Sequence, residues 1–515
     1  LRNSSAASDV YKRQSLAHTF ERTVSKFGLR NFIYFEEETW TYSEVNQQAN
    51  ILAKKLLDDG VSHGDRVILF MENRPDFVIS IIALNKIGAI GVLINTSLTG
   101  KPLIHCINSS DSKKCIVGAE LADPLEEVLS EINIVDKTDI YWVADGDKYR
   151  CPDWSLDLKN TLDNSSEIQV TISDKVTAKD TAFYIFTSGT TGVPKAALFP
   201  NSKIIAASVN IVKGGYRLNE KDCMYNCLPL YHSTGLMLGL CACIQAGAAT
   251  FIRRKFSASM FWEEAKKFNT TAFVYVGELC RYLSFQDPTD NEKNNPISKM
   301  VGNGLRPDLW DCFRNRFNVN RIIEIYGASE GNALFMNLLN KDQTIGMTNA
   351  KVGIFEYDVA EDKLVKDSND KYVEVEKNQP GLLLVEIGPN AVYNGYTDKK
   401  ASEEKVIHDV MVEGDRWFNT GDLVKTMDVG FSLGRTHYQF VDRVGDTFRW
   451  KSENVSTNEV AEILNGYNQV NMANVYGVKI ANSEGRAGMV AFNCDLAKFN
   501  CCLLYTSDAA DELRS

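Results

Sequence analysis

Apolar positions along this chain fall into two rhythms. Leu16, Phe20, Val24 and Phe27 recur on one helical face, and a second helix is predicted to start near Ser43 and end before Gly60. Further on, spaced apolar positions give way to nearly continuous apolarity. The run predicts a strand at Val67–Met71, a helix at Pro75–Ile87 stopped by Gly88, and a buried strand at Ile90–Ile94. Phe77–Ile94 is 18 residues long, enough to suggest a membrane span. Lys86 and Gly88 argue instead for a helix followed by a strand. Strand, helix and strand in succession imply a parallel sheet with a right-handed crossover.

The same punctuation returns as a strand at Met224–Leu230, a helix at Gly235–Gln245, a stop at Gly247 and a strand at Ala249–Ile252. Two related α/β lobes are therefore expected. After about Lys351 the texture changes to short strand candidates between acidic turns, within Val359–Val375 and then from Gly381. A smaller β-rich lobe follows from that change. The charged and aromatic stretch Phe440–Trp450 reads as a hinge, and Ser456–Leu464 as a helix with Thr457 near its cap. The fold class expected is α/β: a large N-terminal domain of two related α/β lobes with a small β-rich lobe, then a short α+β C-terminal domain that looks cut short.

Composition narrows the partners. The 515 residues carry 56 basic and 67 acidic side chains, for a net charge of −11. Without a Lys/Arg block, such a chain lacks the electrostatic footprint of nucleic-acid binding. Hydrophobic content of 44% is that of a globular protein with a real core. The 12 cysteines are scattered, which points to a reducing compartment. Cys223 with Cys227, and Cys241 with Cys243, lack the spacing and the histidine pair of a zinc site. Both ends, residues 1–14 and 500–515, read like translated adapter or vector sequence, and setting them aside leaves the net charge at −11. No signal peptide is present in Leu1–Gln14, so a targeting segment is expected only upstream.

The strongest local signal is TSGTTGVPK at Thr187–Lys195, directly after the apolar strand Ala182–Phe186. Glycines allow close backbone approach, the hydroxyls of Ser188, Thr190 and Thr191 can donate to phosphate oxygens, and Lys195 adds a charge. The competing reading is a polar surface turn. The Gly-Lys-Ser/Thr ending of a Walker loop is absent.

Seven ordered motifs carry a family resemblance: TSGTTGVPK, LPLYHSTG from Leu228, GNGLR from Gly302, IYGASEGN from Ile325, FNTGDL from Phe418, VDRVGDTFRWKSENVSTNEV from Val441 and EGRAGM from Glu484. Over about Leu16–Phe499 the chain resembles the adenylate-forming acyl-CoA synthetases, and among them the very-long-chain acyl-CoA synthetases, also called fatty acid transport proteins. The resemblance implies an AMP-binding domain over residues 15–441 and a partial, mobile C-terminal domain over 442–499. It implies a two-step reaction: a long- or very-long-chain fatty acid attacks the α-phosphorus of ATP, and coenzyme A thiolate then attacks the acyl-adenylate. ATP, Mg2+ and coenzyme A are the implied cofactors.

Site residues follow from the same resemblance. Thr187, Ser188, Gly189, Thr190, Thr191, Gly192 and Lys195 would hold the β- and γ-phosphates. Tyr326 would lie against the adenine, with Gly302, Asn303 and Gly304 opposite. Gly327, Ala328 and Ser329 would border the α-phosphate, Ser329 replacing the usual Thr, and Glu330 would hold magnesium through oxygen. Outside the family, Ser329–Glu330 would read as a helix cap. Asp422 would accept both ribose hydroxyls and Arg443 would reach the ribose or α-phosphate, although an isolated Asp442–Arg443 pair reads equally as a surface salt bridge. His232 would line the carboxylate end of the acyl site, a core histidine being the plainer alternative. Lys451 would face the coenzyme A tunnel after rotation about Gly445.

Three departures qualify the picture. Ser452 stands where the family has Gly, which narrows the passage expected for pantetheine. SLGRTH at Ser432–His437 exceeds the pattern and is expected to extend a hairpin loop. The family's later catalytic lysine has no counterpart before the sequence ends, so weak adenylation is expected of the polypeptide as written. The run Arg253, Arg254, Lys255 reads as a solvated turn, with phospholipid head groups or the coenzyme A nucleotide as the other possibility. Membrane association is expected through a segment upstream of Leu1, with the catalytic domain facing the cytosol at the endoplasmic reticulum, peroxisome or plasma membrane. The alternatives are a lipid-uptake protein with weak ligase activity, and a CoA ligase for a bile or carnitine-like acid. No oligomeric state follows.

Overall fold

The computed structural model describes residues 15–134, 136–146, 148–162, 168–172, 175–187, 194–327, 331–359, 361–389, 391–444, 447–450, 453–455, 457, 460, 461, 464, 470–478 and 486–494. By its internal contacts the chain divides into two compact units. The first comprises residues 1–305, 312–325 and 394–403, and the second takes the remainder.

The first unit holds two mainly parallel sheets, as the repeated punctuation predicts. Its strands are β1 Asn31–Phe35, β2 Glu38–Thr41, β3 Arg66–Phe70, β4 Ile90–Leu93, β5 Lys114–Gly118, β6 Ile140–Val143, β7 Leu156–Asp157, β8 Thr181–Thr187, β9 Lys195–Pro200, β10 Cys223–Asn226, β11 Ala249–Ile252, β12 Ala272–Val276, β13 Lys299–Asn303 and β14 Arg321–Tyr326. One sheet has seven strands in the order β7-β6-β5-β3-β4-β8-β9, and the other runs β14-β13-β12-β10-β11-β1-β2. Only β8–β9 and β1–β2 pair antiparallel within these orders.

The helix Pro75–Ile87 joins the parallel neighbours β3 and β4. It is apolar on every side and, Asp76 apart, buried along its length, which is what a helix inside a core requires. Gly88 ends it in the left-handed region at φ 75°. Lys86 is fully buried with its Nζ on Glu21, and burial lowers its pKa. The corresponding crossover between β10 and β11 departs from expectation. It begins as a π-helix at Thr234–Cys241 before an α-helical turn Ala242–Ala246, stopped by Gly247 at φ 72°. Asn226 explains the difference: its Nδ2 takes the Gly235 carbonyl at 3.0 Å, and a Cβ on Gly239 would sit 2.4 Å from that nitrogen. The preceding strand also stops at Asn226 rather than Leu230. Beyond it the backbone turns to the Asn73 side chain, which donates to the Leu228 carbonyl at 2.8 Å and accepts from Leu230 N–H at 2.8 Å.

Asn73 begins a polar seam between the lobes, continued by Arg74. The Arg74 side chain is 2% exposed, and its guanidinium donates to the Val143 carbonyl at 2.9 Å. It also lies 3.4 Å from Asp76, 3.6 Å from Glu120 and 3.3 Å from Asp145. Asp145 is held in turn by Arg254 at 2.7 Å. Burial pushes the Asp145 pKa up, but the Arg254 hydrogen bond and the two guanidinium charges outweigh it and hold the carboxyl below its ordinary value.

The second unit is built on an antiparallel sheet. Its strands include β15 Phe335–Met336, β16 Val352–Phe355, β17 Tyr357–Asp358, β18 Lys363–Leu364, β19 Gly381–Glu386, β20 Val406–His408, β21 Arg416–Met427 and β22 His437–Arg443. The order is β16-β19-β21-β20, with β22 on β21. β19 alternates between two cores: Leu383 and Val385 pack with Phe335 and Val424, and Leu382 and Leu384 with Phe355 and Trp417. The strands expected within Val359–Val375 shrink to the two-residue pair β17–β18 and isolated bridges. Asp362 and Asp370 explain this, turning the chain at φ 53° and 62°. The SLGRTH extension falls in the β21–β22 connection, as predicted, with Phe431 and Leu433 exposed there. Thr457, Val460, Ala461 and Leu464 are helical, as expected for that segment.

Candidate functional site

In the first unit Thr187 and Lys195 face each other as the last register pair of the β8–β9 hairpin. The connecting residues Ser188, Gly189, Thr190, Thr191 and Gly192 lie outside the described residues. The element after this loop is a strand, so the loop joins two antiparallel strands and does not lead into a helix N-terminus. Thr187 Oγ1 is buried with no partner among the described residues, an orphaned hydroxyl at the mouth of the loop. Lys195 Nζ lies 5.9 Å above the Tyr396 ring. The loop's far end is tied down by the His105 ring, 3.0 Å from the Pro194 carbonyl.

His232 follows β10 in a turn whose imidazole Nδ1 accepts from Thr234 N–H at 3.3 Å. His232 is exposed, yet the protein packed around the ring desolvates it and lowers its pKa, favouring the neutral imidazole. Thr234 Oγ1 reaches Asn303 Oδ1 at 3.5 Å, which brings the histidine turn beside the strip Gly302, Asn303, Gly304.

That strip is glycine-rich for internal reasons. A Cβ on Gly302 would stand 2.1 Å from the Tyr275 carbonyl oxygen on the paired strand. Gly304 is different, with φ 79° and ample space. Gly302→Ala is expected to cost about 1–3 kcal/mol by forcing β12 and β13 apart, and Gly304→Ala about 1–2 kcal/mol of backbone strain. Thermal melting of the two proteins checks the order: Gly302→Ala should melt lower.

Beneath this strip lies a residue that the sequence reading passed over. Glu324 on β14 is 5% exposed, with Oε2 accepting from Tyr275 O–H at 2.5 Å and Oε1 accepting from Gly304 N–H. Leu305 N–H lies 3.2 and 3.3 Å from the two oxygens. Burial pushes its pKa up to about 8, against the pull of those three donors. The signal was available: an acid inside the apolar strand RIIEIY must find partners if that strand is buried.

In the second unit Tyr326, Asp422 and Arg443 come together. Tyr326 O–H donates to Asp422 Oδ2 at 2.5 Å. Burial and then the Asp422 charge raise the tyrosine pKa, so it remains a donor. Its ring packs edge-on to Phe335 at 5.4 Å. Asp422 sits just after the bend at Gly421, φ 74°, and pairs in register with Arg443. Arg443 Nε is 3.8 Å from Asp422 Oδ1 and the side chain is 73% exposed, so the pair is loose and worth little by itself. Asp442 is a core residue and not a surface one. It is buried and accepts from Thr457 N–H at 2.8 Å and from Arg443 N–H at 2.9 Å.

Gly327 is exposed next to Tyr326. Ala328, Ser329, Glu330, Gly445, Lys451 and Ser452 fall outside the described residues. The basic run is solvated only at its end: Arg253 and Arg254 are part-buried, on Glu264 at 2.7 Å and on Glu36 and Asp145, whereas Lys255 is 79% exposed and meets Glu72 at 2.9 Å. The nine cysteines from Cys106 to Cys312 are free thiols. No described helix is long and apolar enough to cross a membrane.

Comparison with known proteins bears on the family and the fold. The profile of the AMP-binding enzyme family matches residues 20–397. The medium/long-chain-fatty-acid–CoA ligase FadD6 of Mycobacterium tuberculosis is 37% identical over 479 residues, covering 93% of this chain and 77% of that protein. Long-chain fatty acid transport protein 6 of Mus musculus is 38% identical over 470 residues, covering 89% and 74%. Among solved structures, the anthranilate CoA ligase AuaEII bound to anthranoyl-AMP superposes with a TM-score of 0.78 at 18% identity, covering 97% of this chain and 90% of that one.

Proposed function

We infer that this chain, which belongs to the AMP-binding enzyme family, is an AMP-forming acid–CoA ligase that activates long-chain fatty acids with ATP through an acyl-adenylate. The observation that carries the acid is the identity, along about nine-tenths of the chain, to a medium/long-chain-fatty-acid–CoA ligase and a long-chain fatty acid transport protein. The second name also favours coupling of activation to fatty acid uptake, since a thioester with a charged nucleotide handle does not recross a bilayer. Association with a membrane surface belongs to that reading.

Each residue has a proposed task. Asp422 accepts the ribose hydroxyls, and the Tyr326 O–H fixes the carboxylate orientation while the tyrosine ring faces the base. Arg443, exposed and loosely held, meets the ribose or α-phosphate. Thr187 offers its orphaned hydroxyl to a phosphate oxygen, and Lys195 with residues 188–192 neutralises the pyrophosphate as it departs. Work of this kind is positioning and charge stabilisation. His232, neutral, stands near the carboxylate of the incoming acid. Glu330 is the proposed magnesium ligand, the ion screening phosphate charge when bound, and Lys451 the proposed contact for coenzyme A.

ATP–pyrophosphate exchange tests the substrate class. Exchange above background that saturates with a sixteen-carbon fatty acid is expected. Exchange driven by anthranilate or benzoate and not by the fatty acid would overturn the assignment.

A further inference from the structure

Glu324 is more than a buried acid with satisfied oxygens. Its three donors come from β12, through the Tyr275 hydroxyl, and from the backbone immediately after β13, through Gly304 and Leu305. One carboxyl group therefore ties the end of β13 to two neighbouring strands. It does so at the only point where the strip Gly302–Gly304 leaves regular sheet geometry, Gly304 turning at φ 79°. The turn has no slack elsewhere, because the Gly304 carbonyl passes so close to Gly277 that a Cβ there would be 1.6 Å from the oxygen. The other titratable groups facing this pocket are Tyr275, Tyr216 and Cys280, whose pKa values burial raises, so they carry no charge at neutral pH. Among the described residues only hydrogen bonds offset the burial of this acid. An apolar side chain would fill the same volume without the desolvation cost, but would leave two backbone N–H groups and a phenol unpaired.

We propose that Glu324 is a positioning residue for the nucleotide base: by holding Gly304 and Leu305 N–H it keeps the Gly302–Gly304 strip flat against the base, and so sets base selectivity without touching the base. The proposal rests on the nucleotide site inferred above.

The test compares Glu324→Leu and Glu324→Gln by calorimetric titration with ATP, GTP and inorganic tripolyphosphate. Gln keeps an oxygen for the two amides and turns an N–H2 to the Tyr275 oxygen, so its affinities should stay within about threefold of wild type. Leu should weaken ATP by about tenfold or more, erase the preference for ATP over GTP and leave tripolyphosphate unchanged. Equal losses for ATP and tripolyphosphate would mean a general structural role and overturn the proposal, as would an unchanged ATP/GTP ratio. Should Glu324→Leu not fold, Glu324→Asp, one methylene too short to span Tyr275 and Gly304, carries the same expectation and the same refutation. A wild-type protein that did not prefer ATP to GTP would instead sink the nucleotide site on which the proposal stands.

Discussion

Arg74→Ala is expected to lower folding stability by about 3–5 kcal/mol, the cost typical of removing one partner from a buried ionic cluster. The arginine is almost wholly enclosed and faces Asp76, Glu120 and Asp145 at once, while its guanidinium also satisfies the Val143 carbonyl. Alanine would leave Glu120, whose side chain is 8% exposed, without its cation, whereas Asp145 would keep Arg254. The urea midpoint at pH 7.5 measures the loss. The pH dependence has a definite sign. In the wild type the lowered Asp145 pKa contributes stability that is present above its ordinary value of 3.8 and lost as the pH falls below it. In the variant the stranded carboxylates become easier to protonate, so acid restores part of what was lost. The gap between the two proteins should therefore narrow between pH 7.5 and pH 5. A gap that widens in acid, or a loss under 1 kcal/mol, would show that the cluster is solvated. Arg74→Met with Glu120→Gln removes the charge at both ends, and should recover much of the deficit.

Asp422→Ala is expected to weaken ATP by about 100-fold. The carboxylate is assigned two ribose hydroxyls, and hydrogen bonds to a charged acceptor are each worth about 1.5–3 kcal/mol, so losing both exceeds the 2.7 kcal/mol that a 100-fold change represents. Affinity alone does not identify the ribose, but a cycle with 2′-deoxy-ATP does. Wild type should prefer ATP to the deoxynucleotide, and the variant should bind the two alike. Retention of the preference in Asp422→Ala would remove Asp422 from the ribose. Tyr326→Phe isolates the orienting bond, and its loss should be smaller.

How much of this was legible beforehand depended on the range of the interactions involved. Helix Pro75–Ile87 and strand Ile90–Leu93 were readable because their signals are local: a proline at the first turn, a glycine just past the last, apolar residues between. The end of β10 was not, because a side chain 150 residues upstream, Asn73, draws the backbone away from the sheet after Asn226. The π-helical start of the next crossover has the same kind of cause, a side chain on a neighbouring strand capturing a carbonyl. Within the site, motif positions such as Thr187, Tyr326 and Asp422 could be picked out by resemblance. Glu324 could not, since only the sheet register brings it its partners, the Tyr275 hydroxyl and two backbone amides. The partners of Arg254 and Lys255 were out of reach for a similar reason: Glu36, Glu72 and Asp145 come from distant parts of the chain.

The β8–β9 hairpin is not the edge of its sheet. Its outer strand β9 would present a bare sheet edge, but residues 394–403, whose sequence neighbours on both sides belong to the second unit, are counted with the first and lie along it. Thr397 N–H bonds to Ala196 and Leu198 N–H to Gly395, with Tyr396 opposite Ala197. A fragment that stops before Asn394 would keep every residue of the cradle and still be a poor reagent. It would carry an unpaired hydrogen-bonding edge beside its most glycine-rich loop, an invitation to self-association. Excising the first unit for separate study therefore means carrying this returning segment along, and the gene offers no single cut that does so.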